Sequence, residues 1–152
     1  MMNTTTFAFR RQATLDELNA MSRGTAMEPL GIRFIAIGAD HLQASMPVDA
    51  RTHQPMGLLH GGASVLLAET LGSTAGMLCV DDTQAVVGIE INANHLRGVR
   101  NGQVTGTARP VHVGRSTQVW EIRITDDADG ALVCLSRLTL AVIRRPSASD
   151  AG

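Results

Sequence analysis

The chain has no lysine: all 13 of its basic residues are arginine, against 14 acidic ones and a net charge of −1. That absence removes Schiff-base chemistry, and with no basic run it argues against a nucleic-acid surface. The arginines are scattered, with loose groups at Arg10-Arg11, Arg97/Arg100 and Arg144-Arg145. Cysteine is scarce too. Cys79 and Cys134 each lie in an apolar run with no CxxC partner and no histidine at ligand spacing, which reads as two buried, reduced thiols. The five histidines form no HxxxH pattern, so no metal site is expected. No stretch reaches the roughly 18 uninterrupted apolar residues of a membrane span, and the N-terminus lacks an apolar region of signal length. The expectation is a cytoplasmic protein with no membrane partner. No repeat and no interdomain linker appears, and 152 residues suit one domain with a real core.

What is present is concentrated in HGGASVLLAETLGSTAGMLCV, residues 60–80. It reads as one helix in which Glu69 is the single charged residue. A glutamate in apolar surroundings is costly, because burial disfavours the charged form. A carboxylate kept there is a candidate for chemistry. The helix opens with His60-Gly61-Gly62, where free N–H groups and the positive dipole end can receive an anion. A carboxylate and an oxyanion hole are two parts of an acyl-transfer site.

The remaining elements follow from patterning. Residues 1–12 read as a loose leader. Thr14 and Glu17 form a capping box that starts a short helix over 14–22, which Gly24 and Pro29 end. Strands are expected at 32–37 and 41–48, joined as a hairpin at Gly38-Ala39-Asp40, with a polar loop over 49–59. After the long helix at 60–79 come strands at 85–95, 103–113, 116–125 and 131–143. In the third of these, Gln118, Trp120, Ile122 and Ile124 share one face. The tail from 144 to 152 is small and polar and reads as disordered. A hairpin, one long helix and four strands imply an α+β fold, a curved antiparallel sheet wrapped around a central helix. The helix is apolar around most of its circumference, so it should be enclosed. Gly72 and Gly76 should admit another backbone closely. The pattern suggests a hot-dog arrangement, with the sheet as bun and the helix as sausage.

The segment GLLHGGASVLLAET closely resembles the central-helix motif of hot-dog thioesterases. With VDARTHQPMGLLHGGA, VVGIEINANHLR and VHVGRSTQVWEI, the chain resembles the acyl-CoA thioesterase group that includes 1,4-dihydroxy-2-naphthoyl-CoA hydrolases, 4-hydroxybenzoyl-CoA thioesterases and phenylacetate-pathway thioesterases. The resemblance covers about residues 14–143. It implies hydrolysis of an aromatic or bulky acyl-CoA, with coenzyme A arriving as part of the substrate and no separate cofactor. It assigns Glu69 as nucleophile or general base and the Gly61 N–H as oxyanion donor. Gln54 and His60 would position the thioester carbonyl, and Ser73 would hold the attacking water. His95, Arg97 and the loop Gly114-Arg115-Ser116 would contact the nucleotide or phosphates. It also implies homodimers, commonly paired into tetramers. Each residue has a plainer reading: His60 as a helix cap, Ser73 as a back-bonding hydroxyl, and Arg97 and Arg115 as solvated charges. Two other functions fit the same fold: an acyl dehydratase, which would pair the loop histidine His53 with Glu69, and a non-catalytic acyl-CoA-binding module.

Geometry adds one expectation. Gly61 and Glu69 are eight residues apart on one helix, hence about 12 Å along its axis at a 1.5 Å rise per residue. A reacting carbonyl needs both within bonding reach. The two groups serving one substrate should therefore come from two subunits related by a twofold axis.

Overall fold

The computed structural model describes residues 9–145. In order these are α1 (Leu15–Met21), β1 (Arg33–Ile37), β2 (Leu42–Pro47), α2 (Gly61–Leu78), β3 (Gln84–His95), β4 (Gln103–Val113), β5 (Thr117–Asp126) and β6 (Leu132–Arg144). Helix α1 starts where the capping box requires. The Thr14 hydroxyl accepts from Glu17 N–H, and the Glu17 carboxylate accepts from Thr14 N–H at 2.8 Å. The six strands form one sheet in the order β1-β2-β4-β5-β6-β3, and every neighbouring pair is antiparallel. The fold is therefore the α+β hot-dog arrangement that the patterning predicts.

The concave face carries the core. Leu42, Ala44 and Met46 of β2, Val104 and Ala108 of β4, Trp120, Ile122 and Ile124 of β5, and Leu138 and Leu140 of β6 are buried against Leu67, Leu71 and Ala75 of α2. The period-two alternation of β5 survives intact, with Gln118, Trp120, Ile122 and Ile124 all inward. The one polar member of that row is satisfied. Gln118 donates through Nε2 to the Gly76 carbonyl at 3.3 Å and accepts from the Trp120 indole N–H at 2.9 Å.

The structure differs from expectation in three places. The glycines of α2 admit side chains, not another backbone: an added β-carbon would stand 2.6 Å from Leu138 Cδ2 at Gly72 and 2.4 Å from Leu140 Cδ1 at Gly76. Second, α2 is not enclosed within one chain. Its inner face is buried, whereas Leu66, Thr70, Ser73, Thr74 and Met77 are half-buried and Glu69 is exposed. One sheet covers only the face it touches. Third, the leader is docked where it is described: Arg10 and Arg11 N–H both donate to the Leu78 carbonyl at 2.9 Å, and Phe9 stacks on Trp120 with ring centroids 6.4 Å apart. The tail beyond residue 145 lies outside the described residues. No described helix is long and apolar enough to cross a membrane.

Candidate active site

Loop 48–60 is built to hold the start of α2. The Thr52 hydroxyl, buried, donates to the Pro47 carbonyl at 2.8 Å, and His60 N–H donates to the Thr52 carbonyl at 2.8 Å. Leu59 N–H reaches the Val99 carbonyl at 2.7 Å, so the loop is also tied to the segment after β3. A tight turn follows Gln54. Gly57, at φ 73°, donates to the Gln54 carbonyl at 2.9 Å, and Gln54 N–H donates to the Leu58 carbonyl at 2.8 Å. The Gln54 side-chain oxygen accepts from Met56 N–H, and its amide nitrogen has no hydrogen bond among the described residues.

His60 is the N-cap of α2, and its Nδ1 accepts from Gly62 N–H at 2.8 Å. An accepting Nδ1 in a neutral imidazole puts the ring proton on Nε2, so this cap is also a hydrogen-bond donor. The capping role and the carbonyl-positioning role are compatible. Gly62 N–H is thus engaged, while Gly61 N–H has no hydrogen bond among the described residues. The free amide at the positive end of α2 is the one expected to meet an oxyanion.

His95 belongs with this group. It ends β3, and its ring lies over Gly61, where an added β-carbon would stand 2.8 Å from Nε2. Arg97, two residues on, pairs with Asp129 at 2.7 Å. That bond holds the Arg97 guanidinium above its ordinary pKa, and it engages the charge expected for phosphate. His53 Nε2 is 2.8 Å from the Arg100 carbonyl, committed to the loop scaffold.

Glu69 stands on the uncovered face of α2. Neither an ion pair nor a hydrogen bond engages its carboxylate among the described residues, so the carboxylate is solvent-facing in one chain and not buried in apolar surroundings. Sequence reasoning missed its neighbour. A β-carbon added at Gly88 of β3 would stand 3.0 Å from Glu69 Oε1, so a glycine there leaves room for the carboxylate. The β3–β6 register shifts between Gly88 and Glu90, a bulge at the same place. A glycine inside a strand pattern is the signal that could have found it. Glu69, Thr70, Ser73 and Thr74 line one wall of a surface pocket of about 340 Å³, whose opposite wall is Thr25, Ala26 and Met27. Ser73 shares the pocket one turn after Glu69, and its hydroxyl has no partner among the described residues.

The loop Gly114-Arg115-Ser116 joins β4 to β5 and is closed by Gly114 N–H on the Thr117 carbonyl at 2.9 Å. Gly114 and Arg115 line a second pocket with Arg10, Cys79 and Gln84, at the C-terminal end of α2. Within one chain this loop is therefore a helix length from His95 and Arg97, about 27 Å for 18 residues. Cys79 is a structural thiol: its Sγ donates to the Ala75 carbonyl at 3.2 Å, and burial pushes its pKa up to about 12.

Comparison with known proteins shows the family of the chain. Residues 56–133 match the model of the thioesterase superfamily. The chain is similar to the 1,4-dihydroxy-2-naphthoyl-CoA hydrolase of Escherichia coli, with 56% identity over 135 residues, 89% of this chain and 98% of that one. It is equally similar to a proofreading thioesterase of Cronobacter turicensis, again 56% over 135 residues with the same coverage. Its fold matches a crystal structure of a Haemophilus influenzae thioesterase with a TM-score of 0.90 at 49% identity, covering 93% of this chain and 99% of that one. The chain belongs to the thioesterase superfamily and is a hot-dog thioester hydrolase.

Proposed function

We propose that the protein hydrolyses an aromatic or otherwise bulky acyl-CoA to the free acid and coenzyme A, at a site shared between two subunits. The observation that carries the reading is the placement of Glu69: its carboxylate lines an open pocket, with the Ser73 hydroxyl one turn away, and neither has a partner among the described residues. In this role Glu69 either takes a proton from water held at Ser73 or adds to the thioester carbonyl itself. Both courses develop negative charge on the carbonyl oxygen. Gly61 N–H, His60 Nε2–H and the Gln54 amide supply donors for that charge, on elements already fixed by hydrogen bonds. The similarity to a 1,4-dihydroxy-2-naphthoyl-CoA hydrolase supports an aromatic acyl-CoA as substrate.

The shared site rests on length. Gly61 and Glu69 are separated by about 12 Å along α2, too far to serve one carbonyl. The outer edge of β3 has no neighbouring strand among the described residues, and β3 exposes Val87 and Ile89. A second copy laid on that edge by a twofold axis supplies the missing cover. Glu69 of one subunit then faces the Gly61 end of the other, and so does the Gly114-Arg115-Ser116 end. The test is thiol release from a panel of acyl-CoAs, followed with a thiol reagent, by wild type and Glu69→Gln. Turnover of aromatic acyl-CoAs by wild type alone is the expected result. Binding without thiol release would identify a binding module, and hydration of an enoyl-CoA would identify a dehydratase.

A further inference from the structure

The pocket beside Glu69 has a second wall that belongs neither to the sheet nor to α2. Eleven residues of chain, 22–32, connect α1 to β1, and three of them line a pocket together with residues of α2. Thr25, Ala26 and Met27 from this connection face Leu66, Glu69 and Thr70 across the pocket. The connection is held by its own bonds. Thr25 donates twice to the Ser22 carbonyl, through its hydroxyl at 2.6 Å and its N–H at 3.2 Å. Met27 N–H donates to the Thr25 hydroxyl at 3.3 Å, and the Met27 carbonyl accepts from Ile32 N–H at 3.2 Å. Met27 Sδ accepts from the Ser22 hydroxyl at 3.8 Å, and Ser22 is itself buried. These bonds give the connection a defined local shape, with an apolar side chain half-buried at its centre.

We propose that this α1–β1 connection closes the acyl end of the active site, and that Met27 sets the size of acyl group accepted. The inference rests on the thioesterase reading of Glu69 and deepens it. The argument is one of adjacency and volume. A thioester whose carbonyl carbon is within reach of the Glu69 carboxylate must place its acyl chain within a few ångströms of that side chain, in whatever space adjoins it. On this chain that space is the pocket of about 340 Å³, bounded by Leu66 on the helix and by Ala26 and Met27 opposite. Its apolar groups lie on both walls, so a flat acyl group can contact α2 and the connection together. The wall does not belong to the sheet or to α2, but Met27 also packs against the edge of the core, a contact that Met27→Leu keeps. Met27 is unbranched and flexible, the side chain type best able to follow the shape of a ligand.

The experiment compares kcat/KM for acetyl-, benzoyl- and naphthoyl-CoA in wild type, Met27→Ala, Met27→Leu and Ala26→Trp. Pocket methylenes discriminate by roughly ten- to two-hundredfold. Met27→Ala should raise the naphthoyl-to-benzoyl ratio by about tenfold, and Met27→Leu should return it toward the wild-type value. Ala26 is exposed, so Ala26→Trp is accommodated by the fold. It should lower the naphthoyl-to-acetyl ratio by about tenfold or more. Ratios within twofold of wild type in both Met27→Ala and Ala26→Trp would overturn the assignment of this wall. Absence of turnover of every acyl-CoA by wild type would overturn the thioesterase reading first, and this inference with it.

Discussion

At the scale of single residues, the site separates groups that act on the carbonyl from groups that meet the nucleotide. Glu69→Gln keeps the size of the side chain and removes its charge. Glu69 has no ion pair or hydrogen bond to lose among the described residues, so the variant should fold and melt as wild type does. Its turnover should fall by roughly 10²–10⁴-fold, the range for loss of a general base or nucleophile. Retention of more than about a tenth of wild-type turnover would remove Glu69 from the chemistry. Arg97 poses a different question, because Asp129 already holds it at 2.7 Å. If the guanidinium serves a phosphate of coenzyme A, the two anions compete for it. Arg97→Ala should then raise KM, and Asp129→Asn should lower it by up to about fivefold at low salt, the scale of an exposed ion pair. KM values that move in neither variant would return Arg97 to the role of a solvated charge.

At the scale of elements, patterning made the fold legible because each signal here is local. The capping box at Thr14 and Glu17, the alternation through Gln118 to Ile124 and the length of the apolar run after His60 each describe one segment, and each stands in the structure within a residue or two. The α2 glycines were legible as a need for space, but not as to what fills it. The neighbour of Gly76 is Leu140, 64 residues on and in the fourth strand after the helix, and only the sheet order brings them together. The same holds for Gly88 beside Glu69, Met27 across from Leu66, and His95 over Gly61. The resemblance named His95 as a site residue without placing it at the helix start. Gly76→Ala tests the packing directly. The new β-carbon would stand 2.4 Å from Leu140 Cδ1 and 2.7 Å from Gln118 Oε1, so either β6 shifts or the buried Gln118 bond to Gly76 is strained. Overpacking of this kind costs about 1–3 kcal/mol. Urea unfolding should show a lower midpoint with an unchanged slope, and an unchanged midpoint would mean that the sheet yields freely there.

At the scale of the whole molecule, one chain holds every candidate group but holds them apart. The Gly61 amide, unbonded among the described residues, and the His60 cap are at one end of α2, Glu69 is in its middle, and the Gly114-Arg115-Ser116 loop is at its far end. The edge of β3 and the uncovered face of α2 lie beside them. A shared site predicts complementation between inactive variants. Glu69→Ala lacks the carboxylate, and the double variant Gln54→Ala/His60→Ala lacks carbonyl donors. In either homodimer both sites carry a lesion. In a mixed dimer, one site collects both lesions and the other collects none. Random pairing at equal ratio makes half of the dimers mixed, each with one intact site of two. Co-refolding should therefore return about a quarter of wild-type activity, for independent sites and free exchange of subunits. The dose series sharpens the test, because recovered activity should rise with the product of the two subunit fractions and peak at equal mixing. Mixed dimers isolated with two different affinity tags and found inactive would place Glu69 and its oxyanion donors within one chain, in contradiction to the helix geometry that motivates the shared site.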